Sequence, residues 1–232
     1  MTQPPISIES GFQQTLKRGG RVKIRIHKIL EGSLVDGPGK RTVLFLQGCP
    51  IHCPGCQSQQ TWNPEGGQEW EVVALADELT RRGAETGEYT ISGGEPFFQP
   101  EALLGLLKAL RERGANHIIV YTGYELEVLA SQNHPARPYL EEILPLVDVL
   151  VDGPFRAELD NPFLSYRGSS NQRAIDVPTS MAIGSTVLLD WGQNPEIVAE
   201  NGRLVIPIGL YPVFAEVGEG HPTRRCGELM ER

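Results

Sequence analysis

An α/β fold built on a parallel sheet is the architecture this sequence predicts, on three observations. Short apolar runs alternate with helix-period segments several times along the chain. Each apolar run stops at glycine, proline or polar turn residues. The residues of unusual chemistry follow directly on those runs, where parallel sheets place their functional loops.

Residues 1–20 read as a polar, Gly- and Pro-containing lead-in. Residues 22–29 (VKIRIHKI) alternate apolar and basic, the pattern of a half-buried strand. A turn-rich stretch containing Asp36-Gly37-Pro38-Gly39 leads to 42–46 (TVLFL), an apolar run short enough for a buried strand. A helix is expected near 69–82, because Val72, Leu75, Ala76 and Leu79 share one face. Residues 88–92 (EYTIS) read as a strand closed by Gly93-Gly94. The second helix, near 100–113, has Pro100 in its first turn and Leu103, Leu106, Leu107 and Leu110 on one side. Residues 117–121 (HIIVY) form the next strand, followed by a short helix near 124–130. Another helix carries Leu140, Ile143 and Leu144 and stops at Pro145. Residues 147–151 (VDVLV) return to strand and end at Asp152-Gly153-Pro154. Beyond about residue 178 the pattern weakens, and two further strands are expected at 183–190 and 203–210, ahead of a tail ending AEVGEGHPTRRCGELMER. The expected organisation is thus a lead-in (1–20), a core (21–178) and a C-terminal extension (179–232) that covers an open side of the core or meets a partner.

The 232 residues carry a net charge of −8 and are 40% hydrophobic, enough to bury a core. Lysine and arginine form no long block, which argues against a nucleic-acid grip. No apolar run is long enough to span a membrane, and the first residues lack the charged-then-apolar order of a signal peptide. A cytoplasmic, reducing location is expected. Five scattered histidines and no Ser-His-Asp pattern argue against a hydrolase.

Three of the four cysteines, Cys49, Cys53 and Cys56, lie within eight residues, and Cys226 stands alone near the end. Such clustering in a reducing compartment points to a metal rather than a disulfide framework. Thiolates suit zinc or iron–sulfur clusters. A structural zinc takes four protein ligands, commonly in two separated pairs. Three thiolates on one tight loop fit three corners of a [4Fe–4S] cubane and leave the fourth iron open. Three other readings remain: a Cys₃His zinc site with His52, ordinary buried thiols, and a structural or electron-transfer cluster completed by Cys226.

Cys49-x₃-Cys53-x₂-Cys56 after one strand, with Gly93-Gly94-Glu95-Pro96 after a later one, resembles the radical S-adenosylmethionine superfamily. The finer resemblance is to the activating proteins of anaerobic (class III) ribonucleotide reductase. It is carried by DGPGKRTVLFLQGC (36–49), CPGC (53–56), YTGYELEVL (121–129), DVLVDGPF (148–155) and RGSSNQR (167–173). The chemistry of RGSSNQR does not follow from the sequence.

That resemblance implies a partial (β/α) barrel, one [4Fe–4S] cluster on Cys49, Cys53 and Cys56, and S-adenosyl-L-methionine on its open iron. In such enzymes a low-potential electron, from a donor such as a flavodoxin, cleaves the cofactor to methionine and a 5′-deoxyadenosyl radical. The radical takes a hydrogen from a glycine of the partner, so a glycyl radical protein is the implied partner. The resemblance also assigns cofactor contacts to Gly55, Gln57, Gly93, Gly94, Glu95, Thr122 and Asp152. Thr122 and Asp152 could instead hold a nearby cation, and several of the assignments have a plainer alternative. Gly93-Gly94 could be only a tight turn, Glu95 only a charge favoured at a helix N-terminus, and Asp152 a strand-end cap. Gly55 stands where other branches of the superfamily often carry an aromatic near the adenine, so adenine packing must come from elsewhere. No side chain is marked as general acid or base, as expected where the cofactor carries the hard chemistry. Two other functions stay open: radical chemistry on a small molecule such as a purine-like precursor, or on another glycyl radical enzyme, and electron transfer without catalysis.

Overall fold

The alternating run after residue 22 forms β1 (Lys23–Ser33), whose Ile24 and Ile26 are buried on one face. The apolar run before the cysteines forms β2 (Arg41–Leu46), almost wholly buried. In this computed structural model residues 22–191 are described, together with the backbone of three strands at Val198–Glu200, Arg203–Ile208 and Tyr211–Glu216. The expected lead-in, most of the expected tail and Cys226 lie outside the described residues.

The next elements are β3 (Gln68–Glu71), α1 (Val72–Arg82), β4 (Glu88–Gly93), α2 (Pro100–Glu112) and β5 (His117–Tyr121). After them come α3 (Leu126–Leu129), α4 (Arg137–Ile143), β6 (Val149–Asp152), β7 (Arg173–Asp176) and α5 (Val177–Ile183). β1 to β7 form one seven-stranded sheet in the order β3-β1-β2-β4-β5-β6-β7. β2, β4, β5 and β6 run parallel, while β1, β3 and β7 extend the sheet antiparallel. This is an α/β fold with the crossover helices of a partial (β/α) barrel. β8 (Val198–Glu200), β9 (Arg203–Ile208) and β10 (Tyr211–Glu216) make a separate antiparallel sheet.

The helix faces fall where the leucine spacing puts them. Val72, Leu75, Ala76 and Leu79 of α1 and Leu103, Leu106, Leu107 and Leu110 of α2 are buried against Leu44, Leu46, Ile91, Ile118, Val120 and Leu150 of the sheet. Burying side chains of this size is worth about 1.5–3 kcal/mol each before entropy is counted. The opposite face is smaller. There Ile119, Val149, Val151 and Ala174 are covered by Tyr121, Leu189 and Trp191. The chain past residue 178 therefore still packs on the core, and the expected boundary at 178 falls inside α5.

Three elements differ from the sequence expectation. Residues 68–71 pair with β1 as a strand, Trp70 opposite Ile24, before the helix begins at Val72. β7 lies inside RGSSNQRAID, too short and mixed to be read as a strand, and its pairing with β6 makes it one. Residues 183–190 are not a strand. Asp176 caps α5 by accepting from the Thr179 amide, and Gly184 ends it in the left-handed region at φ 71°, leaving one bridge between Ile175 and Leu188. Among the described residues no helix is long and apolar enough to cross a membrane.

At the start of the parallel strands the fully buried Arg41 ties three of them together. It donates to Thr90 Oγ1 (2.8 Å), the Tyr89 carbonyl (2.6 Å), the His117 carbonyl (3.1 Å) and Glu88 (3.0 Å). Its removal strands buried acceptors on β4 and β5. Arg41→Ala is expected to lose about 3–5 kcal/mol of stability, read as a lower urea midpoint in the metal-free protein.

Candidate functional site

The site is assembled where β2, β4, β5 and β6 end. β2 finishes at Leu46 and the chain turns at Gly48 (φ 93°) into the cysteine loop. Gln47 latches the far side of that loop: its amide donates to the carbonyls of Gln60 (3.1 Å) and Asn63 (2.8 Å). The Gly48 and Cys49 amides donate to the carbonyls of Thr61 and Trp62, so the loop is closed at its base. His52 adopts φ 52° and stacks on Trp62 with ring centroids 4.5 Å apart.

Each cysteine is half-buried and meets backbone N–H groups. Cys49 accepts from the amides of Ile51 and His52, Cys53 from that of Phe155, and Cys56 from that of Ser58 at 3.4 Å. Burial pushes the Cys49 and Cys53 thiols up from their ordinary range, and those amides work against the rise. Among the described residues no three His, Cys, Asp or Glu side chains gather round a single ion. Thiolates on three different irons of a cubane sit further apart than ligands of one ion. The donor set, three thiols on one loop with amides facing the sulfurs, fits such a cluster.

Gly93 and Gly94 bring β4 hard against this loop. A Cβ on Gly94 would lie 2.4 Å from the Gly48 carbonyl oxygen, and one on Gly93 2.5 Å from the Leu46 nitrogen. Gly93 sits at φ 99°, which side-chain-bearing residues rarely adopt. The Gly94 amide donates to the Leu46 carbonyl and the Glu95 amide to that of Gly48, each at 2.8 Å. The close approach is thus a requirement of the fold.

Glu95 is 1% exposed and gathers three donors. Its Oε1 accepts from the Phe97 amide and from Thr122 Oγ1, both at 2.9 Å, and its Oε2 from the Gly123 amide at 2.8 Å. Burial nevertheless prevails and raises its carboxyl to about 7. Thr122 therefore belongs with Glu95. Gly123 in turn packs on the cysteine loop, since a Cβ there would lie 2.6 Å from Ile51 Cδ1. Gly55 meets the ring of Phe155, and Gln57 is exposed in the turn after Cys56.

Asp152 is buried and fully engaged. It accepts the Leu126 amide at 2.8 Å and pairs with Arg173, which also holds Glu127. The structure brings Thr122 to Glu95 and gives Asp152 to Arg173. Sequence reasoning missed Gln47, Trp62 and Phe155. Only Gln47 and Phe155 carried a signal, as parts of LQGC and DGPF.

A carboxyl held above its ordinary value favours the folded state while it is protonated. Glu95 moves from 4.5 to about 7, so its contribution is present below pH 4.5 and is lost as the pH rises through about 7. The span corresponds to about 3 kcal/mol. Denaturant titrations of the metal-free protein between pH 5 and pH 8 are expected to show this fall, and Glu95→Gln is expected to flatten it.

The family described as the 4Fe-4S single cluster domain matches residues 35–175. The anaerobic ribonucleoside-triphosphate reductase-activating protein of Salmonella typhimurium is 35% identical over 156 residues, covering 64% of this chain and 96% of that protein. The protein of the same name from Enterobacteria phage T4 is 33% identical, covering 63% of this chain and 90% of its own. The pyruvate formate-lyase-activating enzyme of Clostridium pasteurianum is 43% identical over 104 residues, covering 43% of this chain and 44% of that enzyme. Among solved structures QueE from Escherichia coli aligns at 18% identity with a TM-score of 0.42, over 62% of this chain and 77% of that one. A match over residues 35–175, and relatives aligned over nearly their whole length, establish that this chain belongs to the 4Fe-4S single-cluster, radical S-adenosylmethionine family in which the anaerobic reductase-activating proteins fall.

Proposed function

We propose that this protein is the activase of an anaerobic ribonucleotide reductase, generating a glycyl radical on that partner. The observation that carries the reading is the meeting of four strand-end loops on three thiols, with one buried carboxylate beside them. The similarity to reductase-activating proteins over nearly their full length supports this choice of partner.

In this reading Cys49, Cys53 and Cys56 would hold one [4Fe–4S] cluster, and Gly93, Gly94 and Glu95 would hold S-adenosyl-L-methionine. The bound pair supplies reductive cleavage of the sulfonium and a radical able to take a hydrogen from a glycine. The protein's own task is placement and exclusion of water. Gly93 and Gly94 present bare backbone where a side chain would obstruct a ligand. Glu95, whose carboxyl burial raises to about 7, would pair in its charged form with the cofactor's ammonium in a shielded site. Thr122 and the Gly123 amide fix that carboxylate in one orientation. Gly55 and Gln57 flank the last cysteine in sequence and would contact the cofactor from there. Asp152 acts one step back: held by Arg173, it accepts the Leu126 amide at the start of α3. The electron comes from a low-potential donor such as a flavodoxin, in the cytoplasm.

A second reading has a specific observation behind it. The match to a pyruvate formate-lyase-activating enzyme is the higher in identity, although it spans less than half of that enzyme. A different glycyl radical protein is the partner in that case.

The test is anaerobic reconstitution with iron and sulfide, reduction with dithionite in the presence of S-adenosyl-L-methionine, and product analysis for 5′-deoxyadenosine. The expected result is product from the wild type and none from Cys53→Ala, with Cys226→Ala unaffected. Mixing with an anaerobic ribonucleotide reductase should then give a glycyl radical signal by electron paramagnetic resonance. A signal on pyruvate formate-lyase alone would select the second partner. No cleavage by a fully loaded wild type, with or without either protein, would remove the radical reading.

A further inference from the structure

Within the RGSSNQR turn, residues 167–173, Ser169, Asn171 and Gln172 have no part in the chemistry above, yet their side chains grip one neighbouring segment, 153–156. Gln172 Oε1 closes the turn by accepting from the amides of Gly168 (2.8 Å) and Ser169 (3.2 Å). Its Nε2 donates to the Gly153 carbonyl at 3.2 Å. Asn171 Nδ2 donates to the Pro154 carbonyl at 2.8 Å. Ser169, wholly buried, donates to Asn171 Oδ1 at 2.8 Å and accepts from the Arg156 amide at 3.2 Å. The polar backbone groups on both sides of Phe155 are thereby held.

The peptide between Pro154 and Phe155 is the informative one. It is planar and trans, so its carbonyl and its N–H point in opposite directions. Fixing the Pro154 carbonyl on Asn171 aims the Phe155 N–H the other way, and that N–H meets the Cys53 sulfur. The Phe155 ring lies between two glycines, one from each loop. A Cβ on Gly168 would sit 3.1 Å from Cδ2 of the ring, and one on Gly55 3.3 Å from Cε1. The turn, the ring and the cysteine loop form one stack.

We propose that RGSSNQR is a positioning device for the cluster: Asn171 and Gln172 aim the Phe155 amide at the Cys53 sulfur and so set the reduction potential of the iron–sulfur centre. An N–H facing a cluster sulfur stabilises the more negative, reduced state and raises the potential. Asn171 and Gln172 touch neither cluster nor substrate and act only through Phe155.

The inference rests on the cluster assignment proposed above. The experiment is a redox titration of the reconstituted protein, wild type beside Asn171→Ala, Gln172→Ala and Phe155→Leu, with circular dichroism and iron content measured on each. Asn171→Ala and Gln172→Ala are expected to keep the wild-type fold and iron while the potential falls by a tenfold change in the reduction equilibrium, about 59 mV for one electron. Phe155→Leu keeps the amide, so its potential should stay with the wild type. Gln172→Ala opens the turn itself; should it not fold, Asn171→Ala carries the measurement. Folded, fully loaded Asn171→Ala with an unmoved potential overturns the inference, and so does an equal fall in Phe155→Leu. A wild type that takes up no iron fails the cluster assignment itself, a separate and recognisable outcome.

Discussion

The contact on which this site depends is between two backbones. β4 and β2 run parallel to their last residues, Leu46 opposite Gly93, and then stay together through the Gly94–Leu46 and Glu95–Gly48 hydrogen bonds. No side chain fits between them, because a Cβ on Gly94 would fall 2.4 Å from a carbonyl oxygen. This pairing lays the cysteine loop beside the one buried carboxylate of the neighbouring loop. Any residue but glycine would part the strands and separate the thiols from Glu95.

Around that contact the other loops are attached by hydrogen bonds that polar side chains make to backbone. Gln47 closes the cysteine loop, Glu95 draws in the 122–123 loop, and Asn171 with Gln172 holds the 153–156 segment. Such bonds are individually modest, about 0.5–1.5 kcal/mol net, but a buried partner left unpaired costs more than the bond contributes. Loops tied in this way hold a geometry that apolar contacts alone would leave loose. Arg41 does the same work at the opposite end of the sheet, where no chemistry is proposed. The two ends are thus divided between stability and function, as in other parallel α/β folds.

Much of the architecture could be read from the chain. β5 falls at His117–Tyr121 as expected, and α1 and α2 bury the leucines their spacing selects. The departures share a physical cause. Residues 68–71 and 173–176 become strands only because a neighbour offers an edge to pair with, at β1 and β6 respectively. A four-residue segment has no periodicity of its own to announce that. Residues 183–190 have strand-like composition, but Asp176 and Gly184 cap a helix that takes up their beginning.

The cysteine spacing, the glycine pair and the glutamate were legible because their chemistry is local: ligand types at fixed separations, and residues that only a tight approach requires. What each does to the others was not legible. That burial lifts Glu95 to about 7, that Thr122 serves Glu95, that Asp152 is committed to Arg173, and that His52 stacks on Trp62 all follow from distances between remote parts of the chain. RGSSNQR shows the division most sharply. Its residues were one of five stretches carrying the family resemblance, yet their work lies in bonds to 153–156 and in a ring held between Gly55 and Gly168. Sequence determined which groups are present and in what local spacing; only the tertiary structure, by choosing which backbone groups are buried and which polar side chains must satisfy them, decided what those groups do.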